Sequence, residues 1–203
     1  MTQPGSDIML PRIEQKEIRR QLLLDTALRF FNSKGFAATT VDDIVSAAGA
    51  TRTSFYLHFR SKADVMRALL EQVTEQTIGS ADSELTTVVR SGDPEEIAEW
   101  LRRAPDLWQV LRPYLNAAHE AATMDPEVRS IVERWIQTAI DDIASGLTEA
   151  DRFDPATRHI RGVLAFSQLE HLSRRWMLGG CWDMDRDQTL ALLADSWVRL
   201  LVE

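Results

Sequence analysis

The stretch from residue 38 to 64, ATTVDDIVSAAGATRTSFYLHFRSKAD, most narrows what this chain can fold into. Val41, Ile44, Val45 and Ala48 fall at i, i+3, i+4 and i+7, one face of a short helix. Thr40 is its natural N-cap, and Asp43 three residues on resembles the acidic half of a capping box. Gly49 supplies the left-handed backbone that ends such a helix. Thr51 caps a second helix, with Phe55 and Phe59 on its buried side and Arg52, Thr53, Tyr56 and His58 on the other. Those donor-rich side chains are able to reach base edges and phosphates. Ser61, with Asp64 three residues later, caps a third helix, and Lys62 sits in its first turn. A cation there opposes the helix dipole and calls for another explanation, which a nearby phosphate would supply. This is the grammar of a helix-turn-helix and points to duplex DNA, although paired short helices also occur as plain packing in helical domains.

Elsewhere the chain reads as helix after helix. A first long helix is expected from about Ile13 to Lys34, stopping at Gly35, and the helix from Lys62 runs to about Gly79. Ser91-Gly92-Asp93-Pro94 is a break; the helix after it carries Ile97 and Trp100, and Pro105 opens another through Leu107, Leu111 and Leu115 to about Ala122. Asp125-Pro126 and Asp154-Pro155 start two more, the second ending at Gly179-Gly180, and Asp185 precedes the last. No segment alternates with period two for long enough to be a strand. The expected fold is all-α, about nine helices: an N-terminal three-helix head followed by a helical ligand-binding and dimerisation bundle. The expected division is a disordered arm over residues 1–12, a DNA-binding domain over 13–62, and a ligand-binding and dimerisation domain over 63–203.

Net charge argues against DNA until its distribution is considered. The whole chain carries −8, but residues 1–65 hold +2 and the remainder −10. A weakly positive head on an acidic body suits a sequence reader with few phosphate contacts, whose binding weakens with salt. No apolar run approaches the ~20 residues of a membrane span, and the N-terminus lacks a signal-peptide pattern, so the expected location is the cytoplasm with no membrane partner. The single cysteine, Cys181, reads as a structural or incidental thiol.

The motifs Gly35-Phe36, Thr39-Thr40-Val41, Ala48-Gly49 and Tyr56 through Phe59 to Ser61-Lys62 closely resemble the N-terminal DNA-binding domain of the TetR family of bacterial repressors, over roughly residues 16–75. The resemblance implies a homodimer on a palindromic operator, with Thr40, Tyr56 and Lys62 at the family's phosphate-contacting positions. Arg52 and Thr53, next to the cap Thr51, are placed for base edges, and His58 for phosphate or base. Two recognition helices must sit about one turn of DNA apart, roughly 34–36 Å. By the same resemblance the last two helices pair with their symmetry mates, an isologous contact. Leu190, Leu193, Ala194, Trp197, Leu200 and Leu201, with Ile160, Val163, Leu164, Leu172 and Met177, form their apolar stripes, which also suit burial within one subunit.

Between head and dimer interface the aromatic load suggests a sensor for a small hydrophobic effector. Trp100, Trp108, Leu111, Tyr114, Trp135, Phe166 and Trp197 are the candidate lining, though each also suits an ordinary core. Arg134-Trp135-Ile136, Trp100 and Ser196-Trp197-Val198 resemble the ligand-binding half of a mycobacterial member of the family, which implies an elongated apolar tunnel whose occupant pushes the DNA heads out of register. That relative holds a polar ligand group with amides on its eighth helix; Gln168 is the nearest candidate here, with Asn116, His119, Glu120, Glu170 and His171 as further polar possibilities. The helix from Lys62 is the natural lever. The alternative is a helical small-molecule- or partner-binding protein that no longer binds DNA. No Glu-x-x-His pair, zinc-site spacing, Gly-rich phosphate loop or Gly-x-Ser-x-Gly elbow is present, so no catalytic residue, metal or cofactor is expected.

Overall fold

The computed structural model describes residues 12–78, 83–177 and 185–203. The N-terminal arm, Gly79, the Gly179-Gly180 helix end and Cys181 lie outside the described residues. Among the described residues the chain is all-α, with nine helices: α1 (Arg12–Lys34), α2 (Val41–Ala47), α3 (Arg52–Tyr56), α4 (Lys62–Ile78), α5 (Glu84–Ser91), α6 (Pro94–Ala122), α7 (Pro126–Glu149), α8 (Pro155–Met177) and α9 (Arg186–Leu201).

The head forms as its local signals dictate. The Thr40 hydroxyl accepts from Asp43 N, and the Asp43 carboxylate takes the Thr40 N–H at 2.8 Å, completing a reciprocal cap on α2. Gly49 turns the chain between α2 and α3 at φ +59°, a conformation that strains any residue with a Cβ. Leu24, Phe31, Ile44, Phe55 and Phe59 close the head's core, and α4 packs on α1 at one side and on α6 and α7 at the other.

Nine helices were expected, but their partition differs in the middle of the chain. Pro105 does not open a helix; it lies buried inside α6, which runs unbroken for 29 residues from the Asp93 cap. An internal proline costs a helix about 3 kcal/mol. Ile97, Leu101, Ala104, Trp108, Leu111 and Leu115 keep one buried stripe through it, and each large side chain in that stripe contributes roughly 1.5–3 kcal/mol on burial. Burial therefore outweighs the break.

The helix missing from the expectation is α5. Its sequence ELTTVVRS is rich in β-branched residues, which hold back an isolated helix. Packing against α7 decides otherwise: Leu85, Val88 and Val89 are buried, and the Thr86 hydroxyl donates to Asp142 O at 3.0 Å. The Arg152 guanidinium donates to Val89 O and Arg90 O, both at 2.6 Å, satisfying carbonyls that the end of α5 leaves open.

In α9, Leu190, Leu193, Ala194, Trp197 and Leu201 are buried within the chain itself, so most of that stripe belongs to the subunit core. Among the described residues, the large apolar side chains left exposed on the last two helices are Ile160, Leu164 and Leu192.

Gly146 lets α5 and α7 pack closely: a Cβ there would meet Thr86 O at 2.7 Å and Val89 Cβ at 2.8 Å. Alanine would gain up to about 1 kcal/mol of helix propensity, but overpacking against a backbone oxygen costs about 1–3 kcal/mol. Gly146→Ala is expected to lower stability on balance, read as a lower urea midpoint at unchanged m-value.

Candidate nucleic-acid face and interior cavity

Helix α3 is five residues long and is held from beneath. Phe55 is fully buried against Phe59, with ring centroids 5.7 Å apart, and Thr51 Oγ1 accepts the Ser54 N–H at 3.1 Å. Helical geometry then turns Arg52, Thr53 and Tyr56 outward, and the residue after them, Leu57, is exposed as well. The outer edge of α3 is thus a solvent-facing row of one cation, one hydroxyl, one phenol and one isobutyl group.

The other residues expected at this face have neighbours of their own. Thr40 is exposed and its hydroxyl lies 2.7 Å from Asp43 Oδ2, where Lys34 also pairs at 2.7 Å. His58 is partly buried; burial first, and then the charges of Lys16 and Arg20, push its pKa down, so the ring is neutral near pH 7 and sits on the α1 side of α3. Lys62 has an internal explanation that needs no phosphate. Its ammonium donates to Phe36 O and Thr39 O, both at 2.7 Å, and lies 4.5 Å from the Phe36 ring centroid, tying the start of α4 to the loop before α2. Arg52 is gripped by Asp42 of α2, with Nε donating to Oδ1 at 2.5 Å and Nη2 to Oδ2.

Between the head and the last helices lies a cavity of about 140 Å³. Trp100, Trp108, Leu111, Trp135 and Phe166 line it, as the aromatic pattern suggested. Three expected residues do not. Tyr114 packs half-buried against the core outside the cavity. Trp197 forms a second layer, fully buried and stacked on Trp100 at 5.7 Å. Gln168 follows Phe166 by two residues, about 200° around α8, and its Oε1 accepts from the Ser196 hydroxyl of α9 at 3.1 Å.

A polar pole at one end was only partly anticipated. Glu170, Ser173 and Arg174 reach the cavity from successive turns of α8, facing His119 of α6. Glu170 Oε1 is 3.9 Å from His119 Nε2 and 3.6 Å from Arg174 Nη1. Ser173 and Arg174 carried no signal beyond their i, i+3 and i+4 spacing from Glu170. Burial, reinforced by Arg174, pushes the His119 pKa below its ordinary value, which keeps the imidazole neutral at pH 7.

A hydrogen bond ties the cavity wall to α4. The Trp135 indole N–H, on a ring that lines the cavity, donates to Thr74 Oγ1 of α4 at 3.0 Å. The Thr74 hydroxyl in turn donates a hydrogen bond to Leu70 O at 2.8 Å. The far end of the same helix begins at Lys62, against the loop that leads into α2.

Comparison with known proteins agrees with this architecture. A family profile described as "Bacterial regulatory proteins, tetR family" matches residues 23–69. The HTH-type transcriptional regulator EthR of Mycolicibacterium smegmatis is 35% identical over 190 residues, covering 89% of this chain and 84% of that protein. Other regulators match over shorter stretches: AcrR from Shigella flexneri is 36% identical over 81 residues and YerO from Bacillus subtilis 37% over 70, so the chain spans only 37% and 23% of their lengths. Among solved structures, NalD, the secondary repressor of the MexAB-OprM multidrug efflux pump in Pseudomonas aeruginosa, superposes with a TM-score of 0.70 at 24% identity, covering 94% of this chain and 98% of that one. A SmeT–triclosan complex superposes with a TM-score of 0.67 at 19% identity, over 88% of this chain and 91% of that one.

His119 makes the bundle acid-sensitive in a defined direction. Because its folded pKa lies below the ordinary imidazole value of 6.5, its contribution is fully present above that value and is lost as pH falls through the folded pKa. Urea unfolding measured between pH 7.5 and pH 5, a window chosen around roughly 6.5, should show stability falling with pH, and His119→Gln should remove part of that slope.

Proposed function

The chain belongs to the TetR family of bacterial transcriptional regulators, and from that premise we propose that it is a cytoplasmic repressor that binds a palindromic operator as a homodimer and is released by a small, mostly apolar effector. The observation that carries the reading is the Trp135–Thr74 hydrogen bond, because it joins the wall of an apolar cavity to the helix that supports the helix-turn-helix.

DNA enters through the outer edge of α3. Arg52, Thr53 and Tyr56 face solvent there, and none is used to fill the core. Thr40 and Lys62 stand at the family's phosphate positions. Lys62 keeps one N–H beyond its two carbonyl partners, so any phosphate contact it makes is shared with its bond to the loop. Dimerisation uses the outward apolar residues of α8 and α9, Ile160, Leu164 and Leu192, in an isologous pairing.

The effector occupies the cavity. A void of about 140 Å³ is ring-sized, since an apolar cavity of ~150 Å³ holds benzene. A drug-sized ligand needs roughly 300 Å³ or more, so its entry must displace lining side chains. Trp135 is the lining ring whose displacement α4 feels. An effector bound more tightly to the displaced arrangement lowers operator affinity by that difference, and DNA lowers effector affinity equally. Triclosan, the ligand in the SmeT complex, is a suitable first probe.

Selection of bound fragments from the source genome, followed by footprinting, tests the reading. The expected result is a two-fold symmetric protected site with half-site centres about 34–36 Å apart; retention without sequence selection would count against it. Thr74 does not line the cavity, so Thr74→Val isolates the coupling. Loss of one hydrogen bond of about 0.5–1.5 kcal/mol should shrink the probe's effect on operator affinity by about 2- to 12-fold, measured by fluorescence anisotropy.

A further inference from the structure

Two acids open α2, and only one is used by its cap. Asp43 takes the Thr40 backbone and hydroxyl together with Lys34. Asp42 has no part in that arrangement; its carboxylate meets Arg52 of α3 through the side edge of the guanidinium, Nε to Oδ1 and Nη2 to Oδ2. The two side chains remain 58% and 67% exposed, so the pair adds little to folding. A carboxylate on a face that approaches phosphates is also repelled by them unless a cation neutralises it. Neither stability nor unaided DNA affinity accounts for this contact.

Its geometry does. A guanidinium is a rigid plane with five N–H groups, and with the Nε edge occupied, the end edge retains parallel N–H bonds from Nη1 and Nη2. That edge matches the O6 and N7 acceptors of guanine in the major groove. We propose that Asp42 is a positioning residue that holds Arg52 in the free protein so that its end edge reads one guanine in each operator half-site. The inference rests on the DNA-binding reading above. Asp42 touches no base; it fixes the rotamer of the residue that does. A long side chain already immobilised loses less freedom on binding and is withheld from neighbouring phosphates. Hydrogen bonding to Arg52 also holds the Asp42 carboxyl below the usual carboxylate range, so the pair is charged throughout the pH range of binding assays.

The test is selection from a randomised operator pool with the full-length wild type and with Arg52→Ala, Asp42→Ala and the double variant, followed by titration of duplexes in which the selected guanine is replaced by adenine. The wild type should favour guanine at one position per half-site, and Arg52→Ala should lose that preference alone, by about 5- to 150-fold. Asp42→Ala should lose about 2- to 12-fold at the same position, with an unchanged salt slope. The double variant should be no worse than Arg52→Ala. If Asp42→Ala weakens all duplexes alike with the guanine preference intact, or lowers the melting temperature while sparing that preference, the contact is structural and the proposal is overturned. If Arg52→Ala changes preference at no position, it is overturned as well. Wild type that selects no duplex at all removes the DNA reading itself, an outcome distinct from selective binding that ignores Asp42.

Discussion

The continuity of α6 is the constraint on which the rest of the molecule depends. It packs against α7 and α9, against α1 of the head, against α4, and against α5 and α8. One buried stripe carries it through Pro105, and Trp100, Ala104, Trp108, Leu111 and Leu115 from the same helix line the cavity. Asn32 of α1 donates to Pro113 O at 3.0 Å, so the head is docked on the same rod. A break at Pro105 would separate the cavity wall from the surface that seats the head. Because packed helices shift between discrete arrangements more readily than they deform, a rod shared by both regions keeps their geometry correlated.

Against that rod, α4 is the element with a choice. Besides its buried apolar face, it is tied to the head by two Lys62 hydrogen bonds, to Phe36 O and Thr39 O, and to the bundle by the Trp135–Thr74 hydrogen bond. Each is worth on the order of 1 kcal/mol, similar to the lower end of allosteric coupling energies. The head's cations are also less available than a +2 balance suggests: Lys34 and Arg52 pair with carboxylates and Lys62 with carbonyls. In the proposed dimer, operator affinity would rest on a few well-aimed groups in two heads at once, and so on how those heads are spaced.

The parts of this architecture legible in the sequence are those set by local chemistry. Thr40, Asp43, Gly49, Thr51 and Ser61 announce their caps and turn because each acts within a few residues of itself. Helix α5 was hidden because its β-branched residues argue against a helix, and the partner that stabilises it lies 56 residues away at Asp142. Pro105 misled for the same reason: its effect depends on what the flanking stripe buries. In the cavity, aromatic residues could be gathered by type but not sorted into layers, since Trp100 and Trp197 differ only in which side of the wall they occupy. Gln168 illustrates the limit of residue type as a guide, whereas Glu170, Ser173 and Arg174 share a helical face that spacing alone could have disclosed. The internal partners of Lys62 were not legible, because Phe36 and Thr39 expose those carbonyls only once the loop has folded.

The brevity of α3 has an evolutionary consequence. Phe55 and Ser54 anchor it, while Thr53, Tyr56 and Leu57 stand clear of the interior. Mutation at those outward positions leaves the scaffold intact, so this edge can change its chemistry without loss of fold. The cavity has no such latitude, since its walls are also the hydrophobic core. A change at the outer edge of α3 therefore asks only for substitutions in solvent, whereas a change in the shape of the cavity asks for repacking of the interior.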